Sequence, residues 1–194
     1  MIETDEALLA RWRRGEEAAF EALFLRYHGQ VYRVAYGLVG SREEAEDLAQ
    51  EALLTLHSRP PRELSGGGMG AWLCRIALNR GYNALRGERR ERQRAERVGG
   101  WGTADDPQAA LLRAEERARV HAALAQLPER QAKLLLLRYS GLAYAEIAAV
   151  LDMAPGSVGT LLARAERAFL RVYQQLHPLD PPTAQGTTHD TMLR

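Results

Sequence analysis

The sequence contains a single cysteine, few aromatic residues and no excess of charge of either sign. One cysteine forms no disulfide within the chain and excludes zinc sites built from cysteine pairs, and Cys74 lies among apolar neighbours, so we expect it to be buried. The 26 basic residues nearly balance the 25 acidic ones, so a nucleic-acid partner must be argued from local clusters. Because no apolar run approaches membrane-spanning length and the N-terminus lacks an apolar signal segment, we expect a cytoplasmic protein.

What the sequence does contain is alanine, leucine, glutamate and arginine throughout, a composition typical of helices. Apolar residues recur at three- and four-residue steps, which predicts an all-α fold of two small helical domains. Glycines in V-G-G-W-G-T-A-D-D indicate a flexible linker at 98–106 between a first domain at 1–97 and a second at 107–175. The end of the chain, 176–194, is rich in proline and small polar residues, and we predict a disordered tail.

The segment Ser41–His57 is a strongly patterned helix. Ser41 can cap its start, and Glu44 can complete a capping box. One side is apolar, whereas the opposite side contains acids and an amide with no cation: Glu43, Asp47, Gln50 and Glu51. This acidic face fits a docking surface for a basic partner, but acids also favour the first turn of any solvated helix, so the pattern alone leaves both interpretations open.

A glycine-rich segment without periodicity, 58–70, follows this helix. It is either a functional loop or a simple connector. In the next predicted helix, arginines and asparagines line one side while apolar residues face inward: Trp72, Leu73, Ile76, Ala77, Ala84 and Leu85. Arginine interleaved with asparagine suits contacts to phosphates and base edges.

The second domain contains a short helical pattern, Y-A-E-I-A-A-V-L, then the turn D-M-A and a longer helix from about Pro155 to Tyr173. This order of a short helix, a tight turn and a longer helix is typical of a helix-turn-helix, and the longer helix bears Arg164, Arg167 and Arg171. Because packed helix pairs are common in bundles, this layout alone leaves DNA binding open.

Three motifs in this order resemble those of the extracytoplasmic-function group of bacterial sigma factors: E-D-L-A-Q-E-A at 46–52, A-W-L-C-R-I-A-L-N at 71–79 and L-P-E-R-Q at 127–131. The resemblance extends from the first helix to about Tyr173. It implies a protein that binds core RNA polymerase, recognises the minus-10 and minus-35 promoter elements and promotes DNA melting. It makes an anti-sigma protein an expected partner. The five histidines form no ligand-spaced pair and no nucleophile lies beside a base, so we expect no catalytic residue, metal or cofactor.

The resemblance also implies roles for individual residues. The acidic face would bind the clamp of the largest polymerase subunit, and the flap of the second-largest subunit would be a further partner. The glycine-rich loop would take a flipped minus-10 base, with contacts to the strand from Arg62, Arg75, Asn79, Arg80, Asn83 and Arg86. The second domain would contact the minus-35 element through Gly156, Ser157, Thr160, Arg164 and Arg167.

The predicted recognition helix departs from the family pattern. Gly159 and Leu161 stand where a lysine and an arginine are usual, Ala154 replaces a capping serine, and Glu166 replaces an arginine. Fewer cations predict weaker nonspecific affinity with a flatter salt dependence. Either this domain reads the minus-35 element through shape and few contacts, which we favour because its turn and apolar frame are kept, or it contacts DNA weakly.

Two other classes of protein remain to be weighed. Helical nucleotide pyrophosphohydrolases bind magnesium with E-x-x-E on one helix and E-x-x-D on another, and Glu43 and Glu46 fit the first half. No aspartate occurs between Asp47 and Asp105, so the second half is absent at a plausible position. The other alternative is a helix-turn-helix regulator that acts without forming holoenzyme, which predicts specific duplex binding in the absence of polymerase.

Overall fold

The computed structural model describes residues 3–64, 66–95 and 109–178, with side chains described in 3–64, 66–87 and 115–178. Within those residues the chain is helical and has no strand, which confirms the all-α prediction. The predicted linker and all but the first residues of the predicted tail lie outside the described residues. The helices are α1 (Asp5–Arg13), α2 (Glu17–Val39), α3 (Arg42–Ser58), α4 (Gly68–Ala95), α5 (Ala109–Gln126), α6 (Glu129–Tyr139), α7 (Tyr144–Leu151) and α8 (Pro155–Leu176).

Local sequence signals set the helix ends of the first domain. The hydroxyl of Thr4 accepts a hydrogen bond from the N–H of Ala7 at the start of α1, at 3.3 Å. The Ser41 hydroxyl accepts one from the N–H of Glu44 at 3.4 Å, so α3 begins at the predicted cap. Gly40, with φ of 77°, ends α2 in the left-handed conformation that glycine adopts without a steric penalty.

Helix α3 packs against both α2 and α4. Its predicted apolar stripe is buried in full: Ala45, Leu48, Ala49, Ala52, Leu53 and Leu56. Burial of this stripe turns the acidic face outward.

Helix α4 begins at Gly68, inside the segment that the sequence pattern assigned to the loop. The Met69 side chain is completely buried, and a Cβ at Gly70 would lie 2.7 Å from Oε1 of Gln30, so these residues pack as part of the core. The prediction that Ala84 faces inward was wrong, because Ala84 is exposed. At Gly81, in contrast, a Cβ would lie 2.5 Å from Cδ2 of Leu38, so the helices approach closely at that glycine.

The second domain contains α5 to α8. Gly141, with φ of 95°, lies just beyond α6, and Asp152, with φ of 49°, is the left-handed residue that ends α7. Helices α7 and α8 differ in direction by 89°, which confirms the predicted helix-turn-helix layout. Its core includes the buried side chains of Ile147, Val158 and Leu162. Helix α8 reaches Leu176, the first residue of the predicted tail.

The two domains pack against each other and share one hydrophobic core. Helix α4 contacts α7, and α2 contacts α5 and α6. At one edge of this interface a ring nitrogen of His121 in α5 lies 2.6 Å from the carbonyl oxygen of Leu38 in α2. A cavity of about 170 Å³ lies beside this contact, between the two domains.

Candidate functional site

The acidic face of α3 is accessible. Glu43, Asp47, Gln50 and Glu51 are all exposed, and so is Leu54, with 61% of its surface accessible. The structure thus brings all four predicted residues to one face of one helix, around an exposed leucine. Such a face can bind a basic helical surface by charge complementarity and by burial of the leucine.

Side chains at the two edges of the acidic face contact the neighbouring helices α2 and α4. On the α2 side, Glu46 accepts a hydrogen bond from Gln50 at 3.1 Å, and its carboxylate lies 2.9 Å from Nε2 of His28. The hydrogen bond from Gln50, followed by the one from His28, lowers the pKa of Glu46 below its usual value. On the α4 side, Glu51 pairs with Arg80 at 2.8 Å.

Helix α4 presents a second polar surface, the arginine–asparagine face. Its members are all exposed, as predicted: Arg75, Asn79, Arg80, Asn83 and Arg86. Arg80 donates hydrogen bonds to Glu51 and, at 3.2 Å, to the hydroxyl of Thr55. A residue predicted to contact DNA is therefore paired with one predicted to contact polymerase.

The other two arginines of this face contact the second domain. Arg86 donates to Asn83 at 2.9 Å and lies 3.5 Å from the carboxylate of Glu129 in α6. Arg75 donates a hydrogen bond to the backbone carbonyl of Ala149 in α7. Within the described residues, each of the three arginines on this face has an intramolecular partner.

Arg62, also predicted to contact the minus-10 strand, lies in the segment between α3 and α4 and is exposed. The guanidinium of Arg13 in α1 donates hydrogen bonds to the backbone carbonyls of Pro61 and Arg62, the second at 2.8 Å. The first part of this loop is thus tied to α1, whereas its last part, at Gly67, is buried against α7.

The predicted minus-35 residues lie on α8. Gly156, Thr160, Arg164 and Arg167 are exposed, and Ser157 is half-buried with its hydroxyl donating to the carbonyl of Ala154 at 2.7 Å. Ala154 caps the helix without a side-chain hydrogen bond, as its identity requires. In this first turn the N–H of Gly156 can donate a hydrogen bond to a phosphate oxygen.

Sequence reasoning missed an aromatic and basic pair beside the recognition helix. The guanidinium carbon of Arg138 in α6 lies 5.5 Å from the centroid of the Tyr144 ring. That ring lies against α8, since a Cβ at Gly159 would be 3.5 Å from Cε2 of Tyr144. The glycine that replaces a usual lysine therefore lies beside a tyrosine ring, a contact that no periodic pattern signals.

The described residues contain no group of three or more histidine, cysteine or acidic side chains that could hold a metal ion. Cys74 is buried, and burial raises the pKa of its thiol to about 12, so the thiol stays protonated. In this part of the chain no single helix has both the length and the apolar composition to cross a membrane; only the bent pair α7–α8 meets those two criteria together.

Comparison with known proteins agrees with this layout. Residues 23–91 match the family Sigma-70 region 2, and residues 117–169 match Sigma-70, region 4. The chain is 34% identical over 185 residues to the RNA polymerase sigma-H factor of Pseudomonas aeruginosa, covering 90% of this chain and 96% of that protein. It is 29% identical over 184 residues to the ECF RNA polymerase sigma-E factor of Escherichia coli strain K12, covering 89% and 96%.

Among solved structures, the sigma factor RpoE in complex with the anti-sigma factor NepR from Bartonella quintana has the same fold. The TM-score is 0.59 at 24% identity, over 80% of this chain and 96% of that one. The fold is that of a two-domain helical protein with a helix-turn-helix in the second domain and an exposed acidic face in the first. The chain belongs to the extracytoplasmic-function group of the sigma-70 family of RNA polymerase sigma factors.

Proposed function

We propose that this sigma factor binds core RNA polymerase through the acidic face of α3 and engages promoter DNA through α4 and α8. The observation that carries the proposal is the separation of charge in the first domain. Exposed carboxylates cover α3, and three exposed arginines lie on the adjacent α4. One small domain can therefore bind a basic protein surface and a DNA strand at the same time.

The acidic face supports a protein contact more strongly than a solvated surface. Asp47 has no ion pair within the described residues, and Leu54, two helical turns further along the same face of α3, is 61% exposed. A basic helical partner, such as the clamp of the largest polymerase subunit, would neutralise the carboxylates and cover the leucine. Charge would set the rate and orientation of docking, and apolar burial would add affinity.

The arginine–asparagine face supports a contact with the minus-10 strand. Guanidinium groups bind phosphates, and the amides of Asn79 and Asn83 can read base edges exposed by strand separation. Binding energy to the single strand shifts the equilibrium of the duplex towards opening, so melting requires no nucleotide hydrolysis. A catalytic role is absent from this mechanism.

Helix α8 supports a contact with the minus-35 element. Its polar side places Thr160, Arg164 and Arg167 along one exposed stripe, and its N-terminus can face the major groove. Arg138 and Tyr144 widen this surface beside Gly159. With few cations on the helix, we propose that shape readout and a small number of contacts supply the specificity.

The test is to mix the purified chain with core polymerase and a library of promoter fragments. A comigrating complex that starts RNA synthesis at defined promoters supports the proposal. Specific binding of the chain to duplex DNA without polymerase, together with no complex with core enzyme, would instead identify a regulator that acts alone. An anti-sigma protein is a further proposed partner. Because RNA polymerase acts in the cytoplasm, we propose the same location for this chain.

A further inference from the structure

We propose that Arg13 in α1 positions the minus-10 contact by fixing the backbone from which Arg62 extends. Arg62 is the residue that meets a phosphate of the strand, whereas Arg13 acts through Arg62 and is a positioning residue. The inference rests on the proposed function of the first domain and extends it to α1, a helix outside both charged faces.

The first part of the loop between α3 and α4, residues 60–64, has few ways to be held in place. Pro60 and Pro61 have no backbone N–H, so this stretch offers mainly carbonyl oxygens. In the described part of the chain, residues 60–64 make no backbone–backbone hydrogen bond. A donor side chain from another element is therefore needed to fix this backbone.

Arg13 supplies that donor. Its guanidinium donates hydrogen bonds to the carbonyls of Pro61 and Arg62, which lie 48 and 49 positions further along the chain, the second at 2.8 Å. Because one planar group binds two successive carbonyls, the peptide between them is fixed in orientation. The point from which the Arg62 side chain leaves the loop is fixed with it.

Helix α1 is a firm base for this contact. Leu8 and Leu9 on its inner side are buried, with 2% and 3% of their surface accessible. Next to Arg13, the Trp12 ring lies 4.7 Å from the ring of His57, between centroids, and His57 belongs to the last turn of α3. Arg13 therefore holds the loop from a helix that is itself fixed both to the domain core and to the helix from which the loop begins.

The side chain of Arg62 differs from those of the other arginines predicted to contact the minus-10 strand. It is exposed, and its guanidinium has no hydrogen bond or ion pair among the residues that the structure describes. Arg75, Arg80 and Arg86 each have an acceptor within the chain. Arg62 thus combines a fixed backbone with an available guanidinium. It can bind a phosphate without breaking an internal bond and without the entropic cost of ordering the loop.

The experiment uses the full chain bound to core polymerase and compares Arg13→Met with the matched control Arg14→Met. Both positions are exposed and both variants lose one charge, but Arg14 pairs with Glu16 at 3.0 Å and makes no hydrogen bond to residues 60–64 in the described structure. Arg62→Met and the double variant Arg13→Met/Arg62→Met complete a cycle that separates positioning from an independent contact. Formation of the complex with core enzyme is recorded first for every protein.

Affinity of each complex is measured by anisotropy with a fluorescent forked DNA whose single-stranded minus-10 segment has random sequence. Arg62→Met should weaken binding about tenfold through loss of one phosphate contact. Arg13→Met should weaken it by about the same factor, because ordering the released backbone then offsets the gain from that contact. The double variant should also be about tenfold weaker than the parent, and Arg14→Met should match the parent.

A second measurement needs no polymerase and follows the loop itself. Trypsin can cleave after Arg62 but not after Arg59, because Pro60 follows Arg59. In the free chain, cleavage after Arg62 should be about tenfold faster in Arg13→Met than in the parent or in Arg14→Met, since cleavage follows the population of the released backbone.

A double variant about a hundredfold weaker than the parent would overturn the inference, because Arg13 would then contact DNA independently of Arg62. Equal affinities of Arg13→Met and Arg14→Met would also overturn it, and so would equal rates of cleavage after Arg62. If the complexes with core enzyme form and only Arg62→Met binds the fork weakly, the inference fails and the proposed function stands. If no protein, including the parent, binds core enzyme, the proposed function fails and the inference falls with it.

Discussion

The acidic face of α3 and the arginine–asparagine face of α4 are neighbours in one domain, yet they differ in what already contacts them. On α3, Asp47 and Glu43 have no ion pair within the described residues and face outward. On α4, Arg75, Arg80 and Arg86 are all engaged, with a carbonyl or carboxylate of the same chain. Two carboxylates of the α3 face are thus without an ion pair in the described residues, whereas each of these three arginines of the α4 face has a partner in its own chain.

The exposure of a side chain and its availability to a partner are therefore separate properties. Every arginine of the α4 face is exposed by surface area, and a charge map alone would describe it as an open cationic site. Hydrogen bonds to the second domain show that two of these arginines already have acceptors.

The largest effect should come from charge reversal on the open surface. We expect Asp47→Lys to weaken core polymerase binding by about 100-fold, because it places a cation against a basic partner at the centre of the interface. The free energy of unfolding should change by less than about 0.5 kcal/mol, since Asp47 is exposed. Glu21→Lys, at an exposed position of α2, is the matched control, and quantitative comigration with core enzyme is the measurement. Equal binding by both variants would contradict the docking role of α3.

A cation added to α8 should produce the next largest effect. Gly159→Lys restores the residue that is usual at this position, and a Cβ there would make an ordinary contact of 3.5 Å with Tyr144. We expect the slope of log affinity against log salt for random duplex DNA to steepen by about 0.9, as for one additional phosphate contact. Ala18→Lys, at an exposed position of α2, adds the same charge elsewhere and should leave the slope unchanged. A parallel change in both variants would mean that net charge, and not α8, governs binding.

A smaller effect is expected at the ion pair that joins the two surfaces. Glu51→Gln removes the partner of Arg80, and we expect the free energy of unfolding to fall by less than about 1 kcal/mol because the pair is half-exposed. Glu43→Gln removes one charge from the same face without breaking an ion pair in the described residues, and should leave stability unchanged. Urea titration of both variants compares them, and equal stabilities would show that the ion pair contributes nothing.

The smallest effect concerns pH. Because hydrogen bonds from Gln50 and His28 lower the pKa of Glu46 in the folded chain below its ordinary value of 4.5, its contribution to stability is complete above that value. The contribution is lost as the pH falls through the lower, folded pKa. Glu46→Gln should therefore flatten the acid limb of the stability curve, and Gln50→Ala should flatten it in part. Urea titrations across the acid range measure this, and an unchanged limb in Glu46→Gln would contradict the shift.

Much of the fold could be predicted from local patterns. The cap at Ser41, the apolar stripe of α3 and the end of α6 near Gly141 follow from signals that lie within a few residues of each other. The predicted start of α4 was too late. Met69 is buried in the core, but the glycines around it give no helical periodicity in the sequence. The outward position of Ala84 was missed for a related reason, since a small apolar residue satisfies either environment.

The helices, several of their ends and the presence of charged faces follow from the sequence, because each depends on spacing along one helix. It also indicated the family through three short motifs. Which charges have partners depends on the tertiary structure. The Arg75 contact with Ala149 joins residues 74 positions apart, and the Arg80 contact with Glu51 joins residues 29 positions apart. Such pairs depend on how whole helices pack, and no local pattern of residues encodes that geometry.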